Sequence, residues 1–138
     1  MNRQPFLRFF SLLLAIVAGL VIALALGAPQ AIWRADASMM TSAIALLFVV
    51  AVARIGVASW SGGSWRAVEF GRLAVRLSVM FGFVGTALGL SMQAHALAAE
   101  GAASLGALST SLFTTATGGV SAAILEILTY NLETSRDA

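Results

Sequence analysis

Between Arg76 and Glu100 the chain runs 23 residues without a charge, and between Glu100 and Glu126 it runs another 25. Two similar runs precede them. One of 25 residues lies between Arg8 and Arg34, and one of 17 lies between Asp36 and Arg54, its apolar character continuing to about Ala58. A helix crossing the roughly 30 Å hydrocarbon core of a bilayer takes about 20 apolar residues, within a range of about 17 to 25. All four runs meet that length, because an arginine near a helix end lays its stem along the apolar surface and places its charge among the headgroups. The runs lack period-two alternation, and a barrel needs more segments. The expectation is an all-α membrane protein of four transmembrane helices, at about 6–28, 38–58, 67–98 and 104–130, forming a single domain over residues 1–138.

Composition agrees. Hydrophobic residues make up 59% of the chain and charged residues 10%, where a soluble domain carries roughly a quarter. Cysteine is absent, which removes disulfides, thiolate nucleophiles and cysteine metal sites. The net charge of +2 rests on eight arginines and no lysine. They are few and spread along the chain, which argues against a nucleic-acid partner. No Ser-His-Asp set, metal cluster or phosphate loop with a following basic residue is present. Neither an enzyme nor a bound metal or cofactor is therefore expected.

Arg3 and Arg8, the leucine-rich run after them and Ala35-Asp36-Ala37 also fit a signal peptide with an A-x-A cleavage site. The run exceeds the about 7–15 residues of a signal core, so it is read as a retained helix. Arginine placement then sets orientation. Arg3, Arg8, Arg54, Arg66, Arg72, Arg76 and Arg136 fall on one side of four spans and only Arg34 on the other. By the positive-inside rule both termini are cytoplasmic. Trp33 would mark the outer interface, and Trp60 and Trp65 the inner one. Pro29 is expected to end the first helix, and Ser38 to cap the second after Asp36. Ser61-Gly62-Gly63-Ser64 breaks the chain before the third helix, and about 15 residues separate the second and third spans. Arg66, Glu69, Arg72 and Arg76 recur at helical spacing, so the third helix begins in the cytoplasm, with Glu69 pairing with Arg66 or Arg72. Gly101 and its small neighbours make the outer turn to the fourth helix.

The first two helices are rich in Leu, Ile, Val and Ala and carry few polar atoms. The last two differ in kind. In the third, Gly82, Gly85, Thr86, Gly89 and Gln93 share a face. In the fourth, Thr110, Thr114, Thr117 and Ser121 form one stripe, and Ser111, Thr115, Gly118 and Ala122 the adjacent one. Small residues let membrane helices approach closely, which makes Gly82, Gly85, Gly89 and Gly118 candidate packing positions. Hydroxyls bond across such a contact or to the preceding turn. The six between Ser109 and Thr117 exceed what packing requires. They point to a polar path, or to a seat for a partner's buried group.

Phe83-Val84-Gly85-Thr86-Ala87-Leu88-Gly89-Leu90, with Gly82 leading, resembles the G-x-x-G-T-x-x-G-[LI] signature of the MotA/TolQ/ExbB proton-channel family. The segment from Ala107 to Gly118 is similar to that family's A-L-x-T-T-x-x-G run, continued by Ala122-Ala123-Ile124 and Tyr130-Asn131. The resemblance covers roughly residues 78–131. It implies a homopentamer in the bacterial inner (cytoplasmic) membrane, surrounding a pair of single-span partner helices that each carry an intramembrane aspartate. Proton movement turns the ring relative to the pair. On this resemblance Thr86 and Thr115, with Thr114 by extension, face the partner helices and line the ion path. Hydroxyls suit that role, since they bond a carboxylic acid in either protonation state.

The chain also departs from the family pattern. No Asp, Glu or Lys lies mid-span, Thr110 stands where some relatives hold a glutamate, and Leu125 follows Ile124 where a proline is usual. The connection between the second and third helices is too short for the family's cytoplasmic domain. His95, near the outer end of the third helix, is a candidate gate, and Glu126, near the inner end of the fourth, is a candidate proton exit or a partner for Arg76 or Arg72. Two other readings stand beside the ion-driven ring. One is a non-conducting structural subunit of a larger membrane complex. The other is a small four-helix transporter acting as a dimer, which should hold a carboxylate in its first helix, where this chain has none.

Overall fold

The structure, a computed structural model, describes residues 4–25, 27, 39–61, 64–100 and 105–136. These residues form four helices: α1 (Gln4–Ala25), α2 (Met40–Trp60), α3 (Trp65–Glu100) and α4 (Leu105–Arg136). Helices satisfy every backbone polar group within the segment, which hydrocarbon demands. α2, α3 and α4 contain stretches long and apolar enough to cross a membrane, at Met40–Trp60, Trp65–Ala99 and Leu108–Thr134. α1 is 22 residues long. Its described apolar stretch, Phe6–Gly19, is shorter than those three.

Neighbours in sequence pack antiparallel. Phe6 meets Trp60 edge to face with ring centroids 4.8 Å apart, and a Cβ added to Gly56 would stand 2.9 Å from the Phe9 ring. Gly85 faces Thr114, and Gly71 faces Thr129. The start of α1, the α2–α3 connection and the end of α4 therefore share one end of the bundle, which also carries Arg54, Arg66, Arg72 and Arg76.

The buried core sits toward this arginine-rich end. Phe9, Ile55, Ala58, Val68, Ala74, Leu125, Leu128 and Leu132 close it, with Ile55, Val68, Leu125 and Leu128 fully buried. That packing explains two departures from the expected boundaries. α4 continues to Arg136 rather than stopping near 130, because Leu128, Thr129 and Leu132 still bury against the first turns of α3. α3 starts at Trp65, because Ala67 and Val68 already belong to the core. The break between the two helices is the expected one at 61–64, and the rest of the roughly fifteen residues that separate the spans is helical.

At roughly 1.5 Å per residue, the 36 residues of α3 span about 54 Å and the 32 of α4 about 48 Å. Both exceed the roughly 30 Å of a bilayer core. The excess falls mainly at the arginine-rich end, in Trp65–Arg76 and Glu126–Arg136, where the charges lie.

The expected caps and outer features at Pro29, Trp33, Arg34, Asp36, Ser38 and Gly101 lie outside the described residues. α2 is entered through Met39 in the left-handed region (φ 55°), with no side-chain cap bond. At the other end of α2, Ser61 Oγ donates to the Val57 carbonyl at 3.0 Å.

Candidate functional site

The site is the seam between α3 and α4. On α3, Gly71, Ala74, Ser78, Gly82, Gly85 and Gly89 follow one another at three- and four-residue steps, and all are buried. On α4, Thr110, Thr114, Gly118, Ala122, Leu125 and Thr129 do the same. Run antiparallel, the two stripes interlock. A Cβ on Gly85 would stand 2.6 Å from both Cβ and Oγ1 of Thr114. One on Gly118 would stand 2.7 Å from the Ser78 carbonyl oxygen and 2.9 Å from Gly82 Cα. Gly82 and Gly118 thus mark a backbone-to-backbone crossing, and a methyl group on Gly118 has no room there. Gly89 is buried on the same stripe.

The three candidate threonines part company here. Thr114 is fully buried, and its Oγ1 donates to the Thr110 carbonyl at 2.8 Å. It fills the space Gly85 leaves and so faces α3, rather than a helix outside the chain. Thr86 and Thr115 meet at the edge of the seam, with their hydroxyls hydrogen-bonded to each other. Thr86 is half-buried and Thr115 exposed. Thr86 Oγ1 also lies 2.9 Å from the Gly82 carbonyl, and Thr115 Oγ1 lies 2.9 Å from that of Ser111.

Proton counting limits this cluster. Each hydroxyl has one proton to donate. Either Thr86 donates to Thr115, which donates to the Ser111 carbonyl, or Thr115 donates to Thr86, which donates to the Gly82 carbonyl. The two arrangements use the same atoms and reverse the polarity of the chain. Around the pair the surface is apolar: Phe83 and Leu90 on α3 and Leu108 and Leu112 on α4 are exposed. One turn beyond Thr115, a Cβ on Gly119 would meet nothing within 4 Å.

Glu126 is exposed, 11 residues beyond Thr115. Eleven residues are close to three whole turns, so it lies on the same side of α4, about 16 Å toward the arginine-rich end. His95 is exposed too, but nine residues beyond Thr86 is a half-integral number of turns. It therefore lies on the opposite side of α3 and does not join the pair.

The expected ion pairs are not those that form. Arg72 bonds Glu133 of α4, Nη2 to Oε1, at 2.6 Å, rather than Glu69 or Glu126. Glu69 instead accepts from Trp65 Nε1 at 2.9 Å. The antiparallel register brings Glu133 opposite Arg72, while Glu69 is engaged by Trp65, one turn before it on its own helix.

Gly71, Ala74 and Thr129, which carry the seam toward the arginine-rich end, escape a reading confined to the charge-free runs. The signal was the spacing itself, since the small residues keep step through the charged segment. Thr117 and Ser121 are half-buried, while Thr110 and Ser111 are buried. Among the described residues no three His, Cys, Asp or Glu side chains come together. Comparison of the chain with family models, with curated proteins and with solved structures finds no match.

Proposed function

We propose that the chain is the membrane subunit of an ion-driven channel or motor complex. It crosses the inner membrane four times with both termini cytoplasmic, and forms a ring, a pentamer, around partner transmembrane helices that carry the proton-accepting aspartate. The observation that carries this reading is the Thr86–Thr115 hydroxyl pair, placed on an apolar outer edge of the seam. A carboxyl group arriving on a neighbouring helix would meet two hydroxyls there and little else that is polar. The terminal hydroxyl of the pair can turn its proton from its backbone carbonyl to a carboxylate, or accept from a carboxylic acid with the proton left in place. Glu126, on the same side of α4, supplies a charged way station toward the arginine-rich end.

The test is proton flux through the complex, purified with its partner and reconstituted into vesicles. Thr115→Val, which keeps the shape and deletes the hydroxyl, should lower flux at least tenfold while assembly persists, and Thr115→Ser should retain it. Unchanged flux in the valine variant would remove the threonine pair from the path. The intact mass of the complex complements this test: five copies with two single-span chains are expected.

A second reading, a non-conducting structural subunit, is favoured by one observation. Both hydroxyls already have backbone acceptors within the chain, at Gly82 and Ser111. A native complex lacking any aspartate-bearing helix would select that reading.

A further inference from the structure

The α2–α3 connection borders a cavity of about 380 Å³ lined by Arg54, Ser61, Ser64 and Arg66 over a floor that includes Ala58 and Ala67. That volume lies within the roughly 300–1,000 Å³ of small-molecule sites. Arg54 is held with its guanidinium carbon 4.7 Å from the centroid of the Phe70 ring, a contact that orients the group and leaves its charge intact. Among the described residues Arg66 has no ion-pair partner. No carboxylate lines the cavity among the described residues either. The positive end of the 36-residue α3 opens at Trp65 beside it, adding a field of the same sign.

The surface above the cavity is apolar in a particular way. Leu46, Val50, Ala53 and Val57 follow at four-, three- and four-residue steps along α2, all exposed, with Val57 at 71% and Leu46 at 68%. This stripe runs from the cavity toward the far end of the bundle for about 16 Å, close to the roughly 15 Å depth of one leaflet's hydrocarbon. The exposed indoles of Trp60 and Trp65 flank the connection, at the depth where such rings sit among headgroups.

We infer that this cavity seats the phosphate of an anionic phospholipid, with an acyl chain laid along the Leu46–Val57 stripe. Two arginines without a lining carboxylate favour a headgroup with net negative charge over one that carries its own cation. A free phosphate would use the arginines and ignore the stripe. The inference needs only a bilayer around α2 and α3, and it stands or falls separately from the proton path.

The experiment is native mass spectrometry of the full chain, released from neutral detergent and titrated with phosphatidylglycerol or with phosphatidylcholine of the same acyl length. Phosphatidylglycerol should be retained in preference to phosphatidylcholine. Arg66→Gln should lower its affinity about fivefold, and Arg54→Gln with Arg66→Gln about twentyfold or more. Arg76→Gln, a change outside the cavity, should leave it unaltered. Because Arg54 packs on Phe70, the single Arg66→Gln variant separates loss of the site from loss of fold. Equal retention of the two lipids, equal losses in Arg66→Gln and Arg76→Gln, or displacement of the lipid by an excess of inorganic phosphate would each overturn the inference.

Discussion

The side chain of Thr114 occupies the space that a Cβ on Gly85 would need, with its own Cβ and Oγ1 both 2.6 Å from that position. Thr114 also returns its hydroxyl to the Thr110 carbonyl, so one residue fills the groove and satisfies itself. A helix pair in lipid gains no hydrophobic drive from burying leucine against leucine, and close approach with good contact is what remains. The α3–α4 seam is built on that principle.

Gly118→Ala should therefore cost about 1–3 kcal/mol of stability, the range for overpacking a filled site. The methyl group meets backbone, at Ser78 and Gly82, which cannot rotate away. Gly119→Ala, one position along, meets open space and should change stability by less than about 0.5 kcal/mol. Unfolding titrations of both variants in mixed detergent micelles check this, and equal effects would contradict the described crossing.

Thr86→Val and Thr115→Val should be coupled when combined. Hydrogen bonds between membrane helices measured in this way average about 0.6 kcal/mol and reach about 1.7 kcal/mol. A double-mutant cycle on the same unfolding assay should fall in that interval. A coupling near zero would show that the hydroxyls contact one another without stabilising the fold.

Ser78 Oγ and Thr129 Oγ1 are buried without a hydrogen-bond partner. Removing an unsatisfied polar group while keeping its volume relieves a desolvation cost of about 1–3 kcal/mol. Ser78→Ala and Thr129→Val should hence be neutral or stabilising by about 1 kcal/mol. Thr114→Val, which deletes a satisfied hydroxyl of similar burial, should not stabilise. Melting of the three variants in detergent ranks them, and a large loss from Thr129→Val would point to a ligand for its hydroxyl.

Arg72 and Glu133 are partly exposed, with 47% and 29% of their side chains accessible. Such a pair contributes about 0–1 kcal/mol and is screened by salt. Arg72→Ala should cost no more than that at low ionic strength, and the difference should shrink in about 1 M salt. A cost that persists in salt would mean that the arginine stem, stacked near the Trp65 ring, matters more than its charge.

What was legible in the sequence was whatever depends on local spacing. The charge-free stretch from Leu77 to Ala99 announced a span, and Gly82, Gly85 and Gly118 announced a face, because both patterns repeat within a few turns. What depends on register between distant segments was not legible. Arg72 and Glu133 lie 61 residues apart, and only the antiparallel offset of α3 and α4 brings them together in place of Glu69. The burial of Thr114 and the exposure of Thr115 depend equally on where α3 lies, since neighbouring hydroxyls on one helix look alike until a second helix chooses between them. Helix ends were misread for the same reason. Leu132 sits among charges, past the expected end of the fourth helix, and only the first turns of α3 show that it is still inside.

The Gly82–Gly118 crossing falls near the midpoint of α3, 17 residues from Trp65 and 18 from Glu100. With backbone against backbone at one place, the pair has a fulcrum. A rocking of about 5° there would carry either tip of α3 by roughly 2 Å over an arm of about 26 Å, in opposite senses at the two ends of the helix. Movement at the end of α3 near Glu100 would so be delivered, reversed in direction, to the charged stub that begins at Trp65, with no separate domain in between.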